Sequence, residues 1–330
     1  MKAVIFSEPN KVKITDVDEP CVGDNDVLIQ VKSSGICHTD YEILRGNYGS
    51  HSFPLIPGHE FAGIIVEVGS NVKNFKVEDR VVVDPNIGCD QCRACLRGWV
   101  HLCESLGAYG VTTDGGFAEF CAVDSARIHQ ISNIPYKHAA LAEPMGCVLN
   151  AIESVHTKWM ENVLIFGSGP MGILIGLALN HLGVNDITFC DISEERLVLA
   201  ESFGFEAIMS GTEDLIRFEK QVDLVIEATG VTAVANDLPK YIVNGGKGLF
   251  FGVCQSEALI NVAPFEIFRR QLTLAGTHSL NRNIETSLKF ILALGSKLDP
   301  IISHQVTLGE IQEILDGRMP ADSLKVQWSN

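Results

Sequence analysis

The sequence is poor in basic residues and lacks long apolar runs. Its 330 residues include 25 Lys plus Arg against 41 Asp plus Glu, a formal net charge of -16. An acidic balance of this size opposes binding to nucleic acid or to anionic membranes, so we expect neither as a partner. The most apolar stretch, Met171 to Leu179, is interrupted by Gly172 and Gly176 and is too short to span a bilayer.

A secretion signal, internal repeats and low-complexity tracts are also lacking. The apolar run at the N-terminus, Ala3 to Phe6, is short and is followed at once by Ser7-Glu8-Pro9. Ten cysteines without a secretion signal favour a reducing compartment. We therefore predict a cytoplasmic protein, of about two domains by its length.

Four of the cysteines are closely spaced, at positions Cys89, Cys92, Cys95 and Cys103. This spacing lets four thiolates converge on one tetrahedral ion, and zinc suits an all-sulfur site because it has no redox chemistry. Since a closed shell leaves no position for a substrate, we predict a structural zinc. The alternatives are two disulfides, cysteines packed as small core residues, or an iron–sulfur cluster, although the terminal Cys-Pro of the ferredoxin pattern is missing.

The pattern of secondary structure changes along the chain. Short β segments separated by turns fill the first part, and from about residue 160 strands alternate with helices, which indicates a parallel sheet covered on both faces. We predict an α/β protein with a β-rich domain over 1–150, a doubly wound parallel-sheet Rossmann domain over 151–287, and a segment over 288–330 that returns to the first domain.

A glycine motif marks the start of the second part. The run from Gly167 to Gly172 reads G-x-G-x-x-G, with Gly169 as its second glycine, and it lies between an apolar strand and a helix. The three glycines allow a tight turn, close approach of a pyrophosphate, and packing of helix on strand. Pro170 and Met171 open the helix, whose free N–H groups suit phosphate.

An acidic residue follows at the distance that a dinucleotide site requires. Asp191 lies 19 residues after Gly172, at the end of the next predicted strand. A carboxylate there accepts hydrogen bonds from a ribose diol and repels a 2′-phosphate, which favours NAD over NADP. The alternatives are that Asp191 is only an acid at a helix start, and that Arg196 shields a 2′-phosphate.

Three further segments contain residues able to bind metal: Gly35-Ile36-Cys37-His38-Thr39-Asp40, Pro57-Gly58-His59-Glu60 and Ala142-Glu143-Pro144. Together with the four-cysteine segment, the run from Asp114 to Phe120 and the glycine motif, they resemble the zinc-dependent medium-chain dehydrogenases along essentially the whole chain. Within that superfamily the chain is most similar to the polyol, or sorbitol-type, dehydrogenases, because Glu143 stands where liver-type alcohol dehydrogenases have a cysteine.

The resemblance implies a GroES-like catalytic domain that precedes the NAD-binding domain, and two zinc ions per chain. It implies that Cys37 and His59 are ligands of the catalytic zinc and that Glu60 and Glu143 complete its shell directly or through water. Cys147 is a rival sulfur ligand that we interpret as a core residue. Thr39 matches the residue that carries the substrate proton away.

Two departures from the family pattern affect the details. Glu42 stands where many members have a histidine on the proton path, which leaves His38 and His51 as candidates for the exit. Sorbitol-type enzymes often have Phe-Arg soon after the sixth Rossmann strand, where this chain has Thr277 and His278, with Arg282 further on. The predicted substrate is therefore a polyol in general rather than sorbitol.

The predicted activity is oxidation of a secondary hydroxyl of a sugar alcohol to a ketose with NAD. L-threonine 3-dehydrogenase, 2,3-butanediol dehydrogenase and sugar-phosphate polyol dehydrogenase activities are alternatives, as is a non-catalytic nucleotide-sensing scaffold. By the same resemblance we expect a homodimer or homotetramer.

Overall fold

The computed structural model describes residues 1–48, 53–156 and 160–330. In the first part, the strands are β1 (Lys2–Glu8), β2 (Lys11–Asp16), β3 (Asp26–Gly35), β4 (Glu60–Val68), β5 (Arg80–Val83), β6 (Asn86–Ile87), β7 (Gly107–Ala108), β8 (Phe120–Asp124) and β9 (Ile128–Gln130). The helices there are α1 (His38–Arg45), α2 (Arg93–Leu96) and α3 (Tyr136–Ala139).

In the second part, helix α4 (Ala142–Val155) precedes alternating strands and helices. These are β10 (Asn162–Phe166), α5 (Pro170–His181), β11 (Asp186–Asp191), α6 (Glu194–Ser202), β12 (Glu206–Met209), β13 (Val222–Glu227), α7 (Thr232–Tyr241), β14 (Ile242–Phe250), α8 (Pro264–Arg270) and β15 (Thr273–Gly276). The chain ends with α9 (Ile284–Leu294), β16 (Ile302–Val306), α10 (Leu308–Leu315) and β17 (Lys325–Ser329).

The described chain divides into two structural units. Unit 1 contains Met1–Gly146 and Leu280–Asn330, and unit 2 contains Cys147–Ser279. The boundaries therefore fall at 146/147 and 279/280, where we had predicted 150/151 and 287/288. The return is earlier than predicted because Leu280 is already fully buried, and its carbonyl accepts a hydrogen bond from Asn86 Nδ2 at 2.9 Å within unit 1.

Unit 1 is built on a seven-stranded sheet in the order β16-β17-β3-β4-β5-β9, with β8 also paired to β3. The last strand, β17, runs antiparallel to β3 and parallel to β16. Its Trp328 is buried and donates from Nε1 to the carbonyl of Gly116 at 2.8 Å. The core of unit 1 therefore combines residues from both ends of the chain.

Unit 2 is a parallel sheet in the order β12-β11-β10-β13-β14-β15. This is the 3-2-1-4-5-6 order of doubly wound dinucleotide-binding folds, which place ligands outside the carboxyl ends of the strands. The predicted α/β class and parallel sheet are thus confirmed. Buried apolar residues such as Leu164, Val225 and Leu238 form its core.

Two local predictions in unit 2 are wrong. The sequence pattern predicts a helix from Ala233 to Val243, but α7 ends at Tyr241 and Ile242 begins β14 instead. Pro239 removes one helical N–H, and the β-branched pair after Tyr241 favours an extended chain. The short edge strand β12 was not predicted, because a segment of four residues carries little periodic signal.

Candidate active site

Three metal-binding side chains meet between α1 and β4. Cys37 immediately precedes α1, and His59 and Glu60 stand at the start of β4. The antiparallel register pairs Gly35 with Glu60, which brings the two segments side by side. One ligand atom from each of Cys37, His59 and Glu60 lies within 4.8 Å of the other two. A thiolate, an imidazole and a carboxylate are donors found in catalytic zinc sites, so this set fits that metal.

Asp40 supports this cluster from inside α1 and was not among the residues predicted for the site. It is fully buried, and its Oδ2 accepts a hydrogen bond from the Cys37 backbone N–H at 2.8 Å. Its Oδ1 lies 3.4 Å from His59 Nδ1. Burial lowers the pKa of His59, but the charges of Asp40 and Cys37 outweigh burial and hold that pKa well above its usual range. A carboxylate that faces the outer nitrogen of a ligand histidine fixes the orientation of its ring.

Lys325 reaches the same cluster from β17. Its Nζ lies 2.5 Å from Glu60 Oε1 and donates to the carbonyl of Ile36 at 2.9 Å. Both charged side chains are buried, at 7% and 1% exposure. Burial lowers the pKa of Lys325, while the charges of Glu60 and Cys37 outweigh it and raise that pKa. No local sequence signal points to Lys325, because 265 positions separate it from Glu60.

Glu143 and Thr39 occupy less central positions. Glu143 is buried in the first turn of α4, and its charge is one of those that raise the pKa of Lys325. The metal-capable group found among the described residues contains Cys37, His59 and Glu60 but not Glu143. Thr39 is half-buried in α1. The predicted ligand role of Glu143 and the proton-transfer role of Thr39 therefore remain predictions.

Of the residues considered for the proton exit, His38 is exposed and Glu42 is half-buried. His38 Nε2 lies 3.6 Å from Glu42 Oε1, one turn along α1. Glu42 also accepts from Arg45 at 2.6 Å. The other candidate, His51, lies outside the described residues. Cys147, interpreted above as a core residue, is half-buried and belongs to unit 2.

The four-cysteine segment forms the second metal-capable group. The sulfurs of Cys89, Cys92, Cys95 and Cys103 all lie within 4.8 Å of one another. All ten cysteines of the chain are described and none of them forms a disulfide, and Cys92 and Cys103 are 3.9 Å apart at sulfur, far beyond a disulfide bond. The disulfide alternative is therefore wrong for this structure, and four thiol groups this close to one another fit a structural zinc site.

Backbone N–H groups point at these sulfurs. The N–H of Cys89 donates to Cys103 Sγ and that of Cys92 to Cys89 Sγ, each at 3.3 Å. Backbone hydrogen bonds from Gln91 and Cys92 lower the pKa of Cys89, whereas burial, followed by its cysteine neighbours, raises the pKa of Cys95 to about 12. N–H donors of this kind stabilise the thiolate form that a metal requires.

The glycine motif forms the predicted turn at the end of β10. Gly167 has a φ of +101°, which favours glycine. A Cβ on Gly172 would lie 1.9 Å from the Gly167 carbonyl oxygen, so only glycine lets helix and turn approach this closely. A Cβ on Gly169 would meet nothing nearer than Arg196 Nη1 at 4.0 Å, which leaves open space beside the helix start. Pro170 takes the first position of α5, and Met171 is half-buried.

Asp191 ends β11 directly beside this turn. Its Oδ2 accepts from the backbone N–H of Ser168 at 2.7 Å and from the Ser168 hydroxyl at 3.1 Å. Its Oδ1 accepts from the N–H groups of Ile192 and Ser193 at 2.8 and 3.0 Å. The carboxylate is therefore held firmly at the carboxyl end of the sheet, where the motif predicts ribose binding.

Arg282 occupies a structural position. Its Nη2 donates to Asp90 Oδ1 at 2.6 Å, and Asp90 lies between the first two cysteines of the four-cysteine segment. The neighbouring Asn281 Oδ1 accepts from the N–H of Val100 at 3.2 Å. These contacts hold the start of the second stretch of unit 1 against the four-cysteine segment.

None of the described helices combines the length and the apolar character needed to cross a bilayer.

Two family models match the chain: the alcohol dehydrogenase GroES-like domain over residues 23–133 and the zinc-binding dehydrogenase domain over 170–293. The predicted GroES-like domain is thereby confirmed.

Whole-length relatives agree with these matches. A D-altritol 5-dehydrogenase from Agrobacterium fabrum is 43% identical over 100% of this chain and 99% of its own, and D-arabinitol dehydrogenase 1 from Uromyces fabae is 31% identical over 99% and 96%. The solved structure of galactitol-1-phosphate dehydrogenase from Escherichia coli superposes with a TM-score of 0.90 at 26% identity, covering 100% of both chains. The chain therefore belongs to the zinc-dependent medium-chain dehydrogenase family, as the resemblance predicted, and is an oxidoreductase that uses zinc and a nicotinamide cofactor.

Proposed function

We propose that the chain is a zinc- and NAD-dependent dehydrogenase that oxidises a secondary hydroxyl of a sugar alcohol to a ketose. The observation that carries the proposal is the convergence of Cys37, His59 and Glu60, a mixed donor set suited to a zinc ion with an open position. The identity of 43% to a D-altritol 5-dehydrogenase and of 31% to D-arabinitol dehydrogenase 1 supports a polyol substrate.

Each residue of the site has a separate task in this proposal. When bound, zinc would supply a Lewis acid for the substrate hydroxyl, and a nicotinamide cofactor would supply an acceptor for the hydride. Cys37 and His59 would hold the ion, and the Asp40 carboxylate, 3.4 Å from His59 Nδ1, would orient the imidazole ring. Glu60 and Glu143 complete the surroundings directly or through water.

Two further residues deal with the substrate proton and with the buried charge of Glu60. The Thr39 hydroxyl accepts a hydrogen bond from the substrate hydroxyl and passes its proton toward the surface, where His38 and Glu42 stand. Lys325 balances the negative charge of Glu60, so that the buried carboxylate does not remain uncompensated beside the thiolate.

NAD is the proposed cofactor because of Asp191. Its carboxylate stands at the ribose end of the predicted site, where it would repel a 2′-phosphate. Arg196, whose guanidinium lies near the Gly169 turn, is the residue that would accommodate NADP instead.

The decisive experiment is a substrate panel followed by the absorbance of the reduced cofactor. D-altritol, D-arabinitol, galactitol, galactitol 1-phosphate, L-threonine and 2,3-butanediol would each be offered with NAD and with NADP. Turnover of a free polyol with NAD is expected. If only L-threonine, only 2,3-butanediol or only galactitol 1-phosphate is turned over, the corresponding alternative activity is the right one. No turnover of any substrate would overturn the assignment as a dehydrogenase of this class.

A variant pair tests the ligand assignment. Glu143→Ala should abolish turnover and leave the fold intact, while Glu153→Ala, an exposed carboxylate on the same helix, should keep normal activity. Zinc content would be measured in both variants, and the Glu153→Ala control should bind about two ions per chain. Normal turnover by Glu143→Ala would remove that residue from the site.

Self-association and cellular location complete the proposal. The edge strand β15 offers unpaired backbone groups, and the nearby Phe268 is 80% exposed, which suits pairing with a second copy as a homodimer or within a homotetramer. Light scattering on a sizing column would measure the mass. Ten cysteines of which none is in a disulfide support a reducing compartment such as the cytoplasm.

A further inference from the structure

Glu227 is a fully buried carboxylate at the carboxyl end of β13, and no step of the proposed chemistry uses it. One oxygen, Oε1, accepts three hydrogen bonds: from the N–H of Thr229 at 2.6 Å, from the Thr229 hydroxyl at 2.5 Å and from the N–H of Gly230 at 2.8 Å. The Thr229 hydroxyl in turn accepts from the N–H of Val231 at 3.0 Å. A single carboxylate oxygen therefore accepts the hydrogen bonds that hold the turn over 228–231.

The backbone of Glu227 fixes a second turn. Its carbonyl accepts from the N–H groups of Phe251 and Gly252, at 2.9 and 2.8 Å, where the chain leaves β14. The free oxygen Oε2 faces the same turn, since a Cβ on Gly252 would lie 2.5 Å from it. Oε2 has no hydrogen-bond partner among the described residues. One residue thus holds the turns that follow two adjacent strands.

These turns interlock by means of glycines. A Cβ on Gly252 would approach the Gly230 nitrogen to 2.3 Å, and one on Gly230 would approach the Val253 carbonyl oxygen to 2.6 Å. Gly230 also has a φ of +71°. Neither position can accept a side chain without parting the two turns.

The phosphate turn is in contact with the same assembly. The N–H of Ala228 donates to the carbonyl of Phe166 at 2.9 Å, just before the glycine motif. A Cβ on Gly167 would lie 3.0 Å from both the Ala228 carbonyl oxygen and the Thr229 methyl. The turns after β10, β13 and β14 therefore form one packed rim, with Glu227 at its centre.

In a doubly wound sheet this rim is where a dinucleotide lies. We propose that Glu227 is a positioning residue for the cofactor: by holding the 228–231 turn against both the phosphate turn and the 251–254 turn, it sets the shape of the binding crevice. The inference rests on the proposed function in so far as it assumes that the chain binds a nicotinamide dinucleotide.

The test measures NADH affinity by fluorescence titration, alongside melting temperature and zinc content, in the zinc-loaded full chain. Glu227→Ala removes the acceptor of three donors and should weaken NADH binding about tenfold or more. Glu227→Gln keeps an acceptor oxygen in place and should recover most of the affinity. Hydrogen exchange in the 228–231 and 251–254 turns should rise in the alanine variant only.

A matched control exists at the opposite end of the sheet. Glu206 accepts from the Thr188 hydroxyl at 3.0 Å at the start of β12, so Glu206→Gln alters a similar carboxylate–threonine pair far from the strand ends that bind ligand. It should leave NADH affinity unchanged. A purely structural role for Glu227 would lower stability in Glu227→Ala without changing the affinity of the folded protein.

Two milder variants decide the matter if Glu227→Ala fails to fold. Thr229→Val removes one hydroxyl bond, and Gly252→Ala parts the turns without changing charge; both should weaken NADH binding more than Glu206→Gln does. Wild-type affinity in both, or in a folded Glu227→Ala, would overturn the inference while leaving the proposed function intact. Failure of the wild-type chain to bind NADH would overturn the proposed cofactor, and this inference with it.

Discussion

Two pairs of buried polar side chains stand beside the candidate metal cluster. Asp40 faces His59, and Glu60 is bonded to Lys325, with all four side chains at most 7% exposed. Burying an ion is costly unless a partner of opposite charge lies close, so removal of one partner is strongly destabilising. At the scale of single residues, the stability of the site therefore depends on Asp40 and Lys325 as much as on the candidate metal ligands.

Lys325→Met should lower the free energy of unfolding by about 3–5 kcal/mol, because it leaves the Glu60 carboxylate buried without a cation. Lys325→Arg keeps the charge and should lose much less. Urea unfolding followed by circular dichroism measures both.

Lys240→Met provides the matched control. Lys240 pairs with Glu219 at 2.9 Å on the surface, both about half exposed, and its loss should cost at most about 1 kcal/mol. If Lys325→Met is no less stable than Lys240→Met, the buried pair does not stabilise unit 1 as argued.

The three side chains of the candidate metal cluster could be singled out from sequence, because cysteine, histidine and glutamate next to glycines carry a strong signal. Lys325 could not be, since nothing near it in sequence indicates a metal site and its partner lies across a sheet that only folding assembles. Asp40 had a weak signal: it stands three residues after Cys37, the offset at which a side chain accepts from the N-cap backbone of a helix.

At the scale of elements, the glycine motif combines two separable functions. Gly172 allows α5 to pack on the turn, whereas Gly169 borders open space. Gly169→Ala should leave the melting temperature near that of the wild type and weaken NADH binding about tenfold, since its methyl group would stand where the pyrophosphate approaches the backbone.

Gly172→Ala should behave differently. Its Cβ would lie 1.9 Å from a backbone oxygen that cannot rotate away. We expect a loss of stability of about 1–3 kcal/mol in addition to weaker binding. Thermal unfolding and NADH titration of the two variants separate the functions; equal stability of both would contradict the assignment.

The four-cysteine segment makes its own prediction. Cys92→Ser should reduce bound zinc from about two ions per chain to about one and lower the melting temperature, because the metal contributes folding energy. Cys21→Ser alters an exposed free cysteine and should change neither quantity. Two zinc ions per chain in Cys92→Ser would show that this sulfur is not a ligand.

Among the elements, segments with clear apolar patterns and turn signals were predicted well, and segments that depend on pairing with neighbours were not. The pattern predicts a strand over Asn162–Phe166 and a helix that begins at Pro170, and both are found, because apolar runs and turn signals agree there. The strand β12 and the early start of β14 depend on pairing with neighbours, which local sequence does not reveal.

At the scale of the whole molecule, unit 2 is a continuous segment with its own sheet and core, while unit 1 is assembled from two separate stretches. We therefore expect a fragment of residues 147–279 to fold alone and to retain NADH binding. Circular dichroism with a cooperative thermal transition, together with NADH titration, tests this. An unfolded fragment would mean that unit 2 requires unit 1.

The position of β17 inside its sheet also affects the order in which the two units can fold during synthesis. A ribosome delivers Cys37 and His59 first, then all of unit 2, and Lys325 only after it. Because β17 lies between β16 and β3, the sheet beside the candidate metal cluster has a gap until β17 has been made. The nascent chain can thus complete its dinucleotide-binding half while the metal-binding half still awaits the strand that closes it.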